Sequence, residues 1–62
     1  GNETMIFKVA PNYTTAYHGT QNLFEWTGKT LEAFTAAMGR PHDSVETYSI
    51  GSRTISEYRW RD

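Results

Sequence analysis

The run KTLEAFTAAMGRP, from Lys29 to Pro41, restricts the fold more than any other stretch of the chain. Leu31, Phe34 and Met38 recur at i, i+3 and i+7 with Ala37 beside them, while Glu32, Thr35 and Ala36 fall on the other side, so the spacing predicts one amphipathic helix. Thr27 or Thr30 can cap its start, and Glu32 sits in the first turn, where the helix dipole favours an anion. Gly39 suits the left-handed position after the last turn, and Pro41 cannot continue the helix. A lone helix has to bury its apolar stripe against something else, and the rest of the chain reads as strands.

Residues 3–10, ETMIFKVA, alternate Met5, Phe7 and Val9 against Thr4, Ile6, Lys8 and Ala10, the period of a strand with its first set facing the core. Pro11 and Asn12 end it. YTTAYHG (Tyr13 to Gly19) lacks clean alternation with strong hydrophobes and reads as a loop with extended character. NLFEWTG, with Leu23, Phe24 and Trp26, reads as a second short strand, a helix starting near Asn22 being the competing assignment. After the polar loop RPHDS, VETYSI (residues 45–50) and TISEYRW (54–60) read as two strands joined around Gly51 and Ser52. A two-residue loop would set Glu46 opposite Glu57. A four-residue loop, Gly51 to Thr54, pairs Ile50 with Ile55, Val45 with Trp60 and Glu46 with Arg59, and is preferred because it avoids the like-charge pair.

The expected fold is α+β: a small antiparallel sheet of three to four strands in the order ββαββ, with one amphipathic helix packed on one face. Without internal repeats, low-complexity tracts or a linker, residues 1–62 form a single domain. A chain this short buries only about 60% of the surface its unfolded form exposes, and with no cysteine it has no disulfide to reinforce it. Aromatic residues at 15% offset a hydrophobic share of only 37%, which argues for an ordered fold. Exposed strand edges favour pairing with a second copy, so a homo-oligomer is a live expectation, although Glu57, Arg59 and Arg61 discourage it on the last strand.

The absence of cysteine and of any long apolar run leads to the expectation of a cytoplasmic, soluble protein with no membrane partner. A net charge of −1 gives no global field for DNA or anionic lipid, so any nucleic-acid role must rest on local clustering. Gly28-Lys29-Thr30 resembles the tail of a phosphate loop, but Leu23 stands where that motif needs its first glycine, and only a weak anion site at the helix start survives. His18, His42, Asp43 and Glu46 are the sole candidates for a metal or acid–base group, and the proline-bounded loop argues against a helix that would align them. Asn2-Glu3-Thr4 and Asn12-Tyr13-Thr14 match the glycosylation pattern, which carries little weight in a Thr-rich chain. No cofactor, metal or catalytic set is expected.

In the closing segment SEYRWRD, an extended backbone sends Thr54, Ser56, Tyr58 and Trp60 to one side and Arg53, Ile55, Glu57, Arg59 and Arg61 to the other. The aromatics belong under the helix and the arginines in solvent. Arg53, Arg59 and Arg61, with Lys8 or Arg40 nearby and Tyr48 and Ile50 on the same side, form the candidate contact face. The run FEWTGKTLEAFTAAMG is similar to a pattern in many small α+β proteins of bacteria and their phages, a resemblance that brings no functional residues with it. The expected function is a small non-enzymatic protein-binding module, of the kind a phage or mobile element encodes to modulate a larger host protein. The alternative is a small nucleic-acid binder using the C-terminal arginines on phosphates with Tyr48 or Tyr58 stacking.

Overall fold

Period-2 patterning builds the first strand, β1 (Met5–Val9), in a computed structural model that describes residues 4–61. Asn2 and Glu3, and with them one glycosylation pattern and the expected start of the strand, lie outside the described residues. Strands β2 (Thr14–His18), β3 (Gln21–Asn22), β4 (Ser44–Ile50) and β5 (Arg53–Trp60) complete an antiparallel sheet in the order β3-β2-β1-β5-β4. Among the described residues a single α-helix, α1 (Leu31–Met38), crosses one face, and a 3-10 turn at Phe24–Trp26 precedes it. The fold is α+β as the pattern predicts, with five strands rather than three to four. The last strand in sequence is not an edge: β5 lies between β1 and β4, and β4 carries the outer rim.

The extra strand comes from the segment that reads as a loop. Thr14–His18 pairs with β1 along its whole length, Phe7 opposite Ala16. Its inward positions are Thr14, Ala16 and His18, too small or too polar to write a hydrophobic alternation, yet Ala16 is fully buried because the chain beyond it folds back over it. NLFEWTG, expected as a strand, contributes only Asn22 to β3. It then turns, with Trp26 N–H donating to Leu23 O and Thr27 N–H to Phe24 O. The turn serves β2: Leu23 N–H donates to Ala16 O at 2.9 Å and Gly28 N–H to Thr14 O at 3.0 Å, so the outer rim of β2 is covered by backbone. Leu23 and Trp26 drop into the core, while Phe24 is left 75% exposed.

The helix boundaries fall where their chemistry puts them. Thr30 is the N-cap, its Oγ1 accepting from Ala33 N–H at 3.1 Å, and Gly39 closes the last turn at φ 78° with its N–H on Thr35 O and Ala36 O. Phe34 is the one fully buried helical side chain. It meets Phe7 (ring centroids 5.1 Å apart), Trp26 (4.9 Å) and Trp60 (5.1 Å), so one ring from the helix joins two from adjacent strands of the sheet and one from the 3-10 turn. Leu31 and Met38 flank this cluster, as do Met5, Val9 and Tyr58 from the sheet.

A second junction ties the end of α1 to the end of β5. Trp60 Nε1–H donates to Arg40 O at 2.8 Å, Arg61 N–H to Asp43 Oδ2 at 2.6 Å, and Arg40 clasps the same carboxylate at 3.1 Å while its other guanidinium nitrogen donates to Arg61 O. The Arg61 amide first, and then the Arg40 guanidinium, hold the Asp43 carboxyl below its ordinary value of 3.8. A depressed folded-state pKa gives stability that is present above the ordinary Asp value and is lost as pH falls through the lower, folded value. Denaturation midpoints are therefore expected to fall in acid below pH 3.8 for the wild type, and Asp43→Asn should flatten that part of the profile. An unchanged acid limb in Asp43→Asn would remove the clasp as its cause.

Candidate binding face

The sheet face opposite α1 is built by alternation along strands whose register is now known. Paired residues share a face, so Ile6, Lys8 and Tyr17 join Ile55, Glu57 and Arg59 and, from β4, Glu46, Tyr48 and Ile50. All five expected contact residues lie on β4, β5 or the residue after it. Tyr58 and Trp60 are on the helix side, Trp60 at 1% exposure and Tyr58 against the edge of the His42 ring at 4.9 Å. Of the two tyrosines considered for stacking beside the arginines, only Tyr48 shares their face.

The hairpin that carries the face uses the two-residue loop, not the four-residue one. Ile50 pairs with Arg53, Tyr48 with Ile55 and Glu46 with Glu57. Gly51 takes φ 61° while Ser52 stays at negative φ, the signature of a type II′ turn, whose twist matches that of the flanking strands. The correction shifts the pairing by two residues, which leaves every side chain on its expected face. The like-charge pair that seemed to forbid this register is neutralised by a diagonal neighbour. Arg59 Nη1 lies 3.0 Å from Glu46 Oε1, and Arg59 Nη2 lies 2.7 Å from Glu57 Oε1. Tyr48 Oη–H donates to Glu57 Oε2 at 2.8 Å, and this bond, together with some desolvation, raises the tyrosine above its usual pKa.

The arginines do not act as one cluster. Arg53 and Arg59 are six residues apart on one strand, about 20 Å along its axis. Arg59 is engaged by two carboxylates, and Arg61 sits at the Arg40–Asp43 junction. Among the described residues no carboxylate lies within ion-pair distance of Arg53 or Lys8. Lys8, which the sequence placed only at the margin of the site, stands among three tyrosines: burial works to lower its pKa, but Tyr13, Tyr17 and Tyr48 outweigh it and raise the value. Those tyrosines come from a loop and two strands far apart in sequence, so no local pattern signalled the group.

The hairpin tip is the most open part of the face. Every residue from Ser49 to Thr54 is exposed, and Ile50 is 61% exposed beside Arg53 across the turn. On the other side of the molecule, α1 and the Pro41–His42 loop border a shallow apolar groove of about 450 Å³ lined by Leu31, Glu32, Thr35, Ala36, Pro41 and His42. His42 stacks edgewise on Tyr58 and Trp60, Asp43 is held in its clasp, and among the described residues no three His, Asp or Glu side chains gather as a metal group would. Lys29 is exposed ahead of the Thr30 cap, its carbonyl accepting from Thr14 Oγ1. No helix among the described residues is long and apolar enough to cross a membrane. Comparison with protein-family models, with curated proteins and with solved structures finds no match to the chain.

Proposed function

We propose that the helix-free sheet face is a protein-contact surface and that the domain is a small non-enzymatic module acting by occupying a site on a larger protein. The observation that carries this reading is the pairing of a largely exposed Ile50 with Arg53 at the hairpin tip, flanked by Tyr48. An apolar anchor beside a cation and a tyrosine is the composition that protein interfaces favour, since each member combines contact area with directional bonding. Arg59 belongs to the same surface as its supporting rim, and Arg61 lies just beyond the end of its strand. Arg59 orders the hairpin beneath the contact by holding Glu46 and Glu57, so charge reversal there would confuse loss of binding with loss of structure.

The discriminating variant is therefore Ile50→Asp with Arg53→Glu, both exposed at the turn, set against Lys29→Glu at the start of α1. Partners captured by the wild type and by Lys29→Glu, but not by the double variant, are the expected result. Identical partner lists for all three proteins would overturn the face.

A second reading, single-stranded nucleic-acid binding, draws support from Lys8 among Tyr13, Tyr17 and Tyr48, a cation and stacking groups on one surface. It predicts binding of labelled single strands that weakens steeply with added salt. The absence of a shift at low ionic strength removes it.

A further inference from the structure

The two rims of the sheet are treated differently. The outer rim of β2 is covered by β3 and the following turn, as described above, whereas β4 presents its full seven-residue length with nothing along it among the described residues. We infer that β4 pairs antiparallel with β4 of a second copy, about a two-fold axis through Thr47, to make a continuous sheet across a homodimer. The inference does not depend on the contact face proposed above.

Backbone alternation decides which groups are available. Ala10 N–H donates to Tyr13 O and Gly19 N–H to Thr4 O, so the even-numbered residues of β1 bond to β2 and the odd-numbered ones to β5. With the registers of β1 on β5 and β5 on β4, the even residues of β4 (Ser44, Glu46, Tyr48 and Ile50) point their main-chain groups at β5. Val45, Thr47 and Ser49 point theirs outward. In an antiparallel ladder only outward-pointing residues exchange bonds, which limits a two-fold partner to registers that differ by steps of two.

One of those registers uses every free group. With Thr47 opposite Thr47 of the second copy, Val45 falls opposite Ser49 and Ser49 opposite Val45, and each of the three residues both donates and accepts. Sliding by one step in either direction leaves at least one outward residue without a partner inside the strand. In one direction it also sets Glu46 directly opposite Glu46 of the second copy, at the close non-hydrogen-bonded spacing where like charges oppose pairing. In the Thr47-centred register Glu46 instead faces Tyr48, so the single charged side chain of β4 meets a neutral group, and its own charge is already balanced by Arg59. Val45, 49% exposed on the helix side because α1 does not reach it, would be flanked by Ser49 and Thr47 of the second copy. The strand is self-complementary about its own midpoint, which is the property an isologous interface requires.

Sedimentation or light scattering across a concentration series tests this. Wild type is expected to pass from one to twice the monomer mass. Thr47→Pro should raise the dimer dissociation constant at least tenfold, because it removes an outward N–H at the axis and leaves the β4–β5 ladder intact. Circular dichroism checks that it still folds. Should Thr47→Pro fail to fold, Thr47→Cys decides the matter. Cα atoms of a hydrogen-bonded pair lie about 5.5 Å apart, within disulfide range, so mild oxidation should cross-link Thr47→Cys several-fold faster than Ser49→Cys. A wild type that stays monomeric at every concentration, a Thr47→Pro protein that dimerises as the wild type does, or equal cross-linking at the two positions would each overturn the inference.

Discussion

Trp60→Ala is expected to abolish the cooperative fold. Trp60 is 1% exposed, packs its ring on Phe34 and, through Nε1–H, fastens the chain after α1 to the sheet. Truncating a buried tryptophan costs about 3–5 kcal/mol, and a domain of 62 residues has roughly 3–9 kcal/mol of stability in total. The expected outcome is loss of the urea unfolding transition, or its displacement to very low denaturant. Trp60→Phe separates the two contributions. It keeps most of the ring contact and leaves Arg40 O without its donor, for a loss of about 1–2 kcal/mol. Phe24→Ala, an aromatic truncation at a site 75% exposed, should stay within about 0.5 kcal/mol of wild type. A Trp60→Ala protein with a wild-type midpoint would mean that Trp60 does not anchor the core.

Arg59→Met should destabilise the β4–β5 hairpin by about 1–2 kcal/mol at low ionic strength. Methionine keeps the apolar stem and removes the guanidinium, leaving Glu46 and Glu57 facing each other across the strand pair. The magnitude is held down by solvent, since the Glu46 side chain is 62% exposed. Two further results identify the cause. Adding Glu46→Gln to Arg59→Met should recover most of the loss, a coupling that a double-mutant cycle reads directly. Raising salt should shrink the gap between Arg59→Met and wild type by screening the two carboxylates. A loss of the same size in the Glu46→Gln background and in high salt would assign it to packing rather than charge.

The pairing error around Gly51 shows how partial a sequence reading of a hairpin is. Face assignment needs only the parity of the strand, so Tyr48, Ile50, Arg53 and Arg59 fall on one face under either loop length, while Arg61, beyond the end of β5, sits at the Arg40–Asp43 junction. Register depends on turn geometry and on diagonal neighbours. A rule that compares only directly opposite residues sees Glu46 against Glu57 and rejects the pairing; it does not see Arg59 reaching both. The group around Lys8 was illegible for a related reason, since Tyr13, Tyr17 and Tyr48 come near it only after four strands, β2, β1, β5 and β4, have been laid side by side.

Elements that carry their own hydrophobic period and their own caps were determined by the sequence alone: β1, the helix from its Thr30 cap to Gly39, and the burial of Trp60 beneath it. Their signals are local, because a cap or an alternation acts on neighbours within a turn or two of the chain. Tertiary structure decided everything that depends on backbone pairing at a distance. Thr14–His18 became a strand because β1 offered it hydrogen bonds, Phe24–Trp26 became a turn because the rim of β2 drew in Leu23 and Gly28, and β5 moved to the interior of the sheet. Main-chain donors and acceptors are the same in every residue but proline, so the side chains do not name their partners until the strands are side by side.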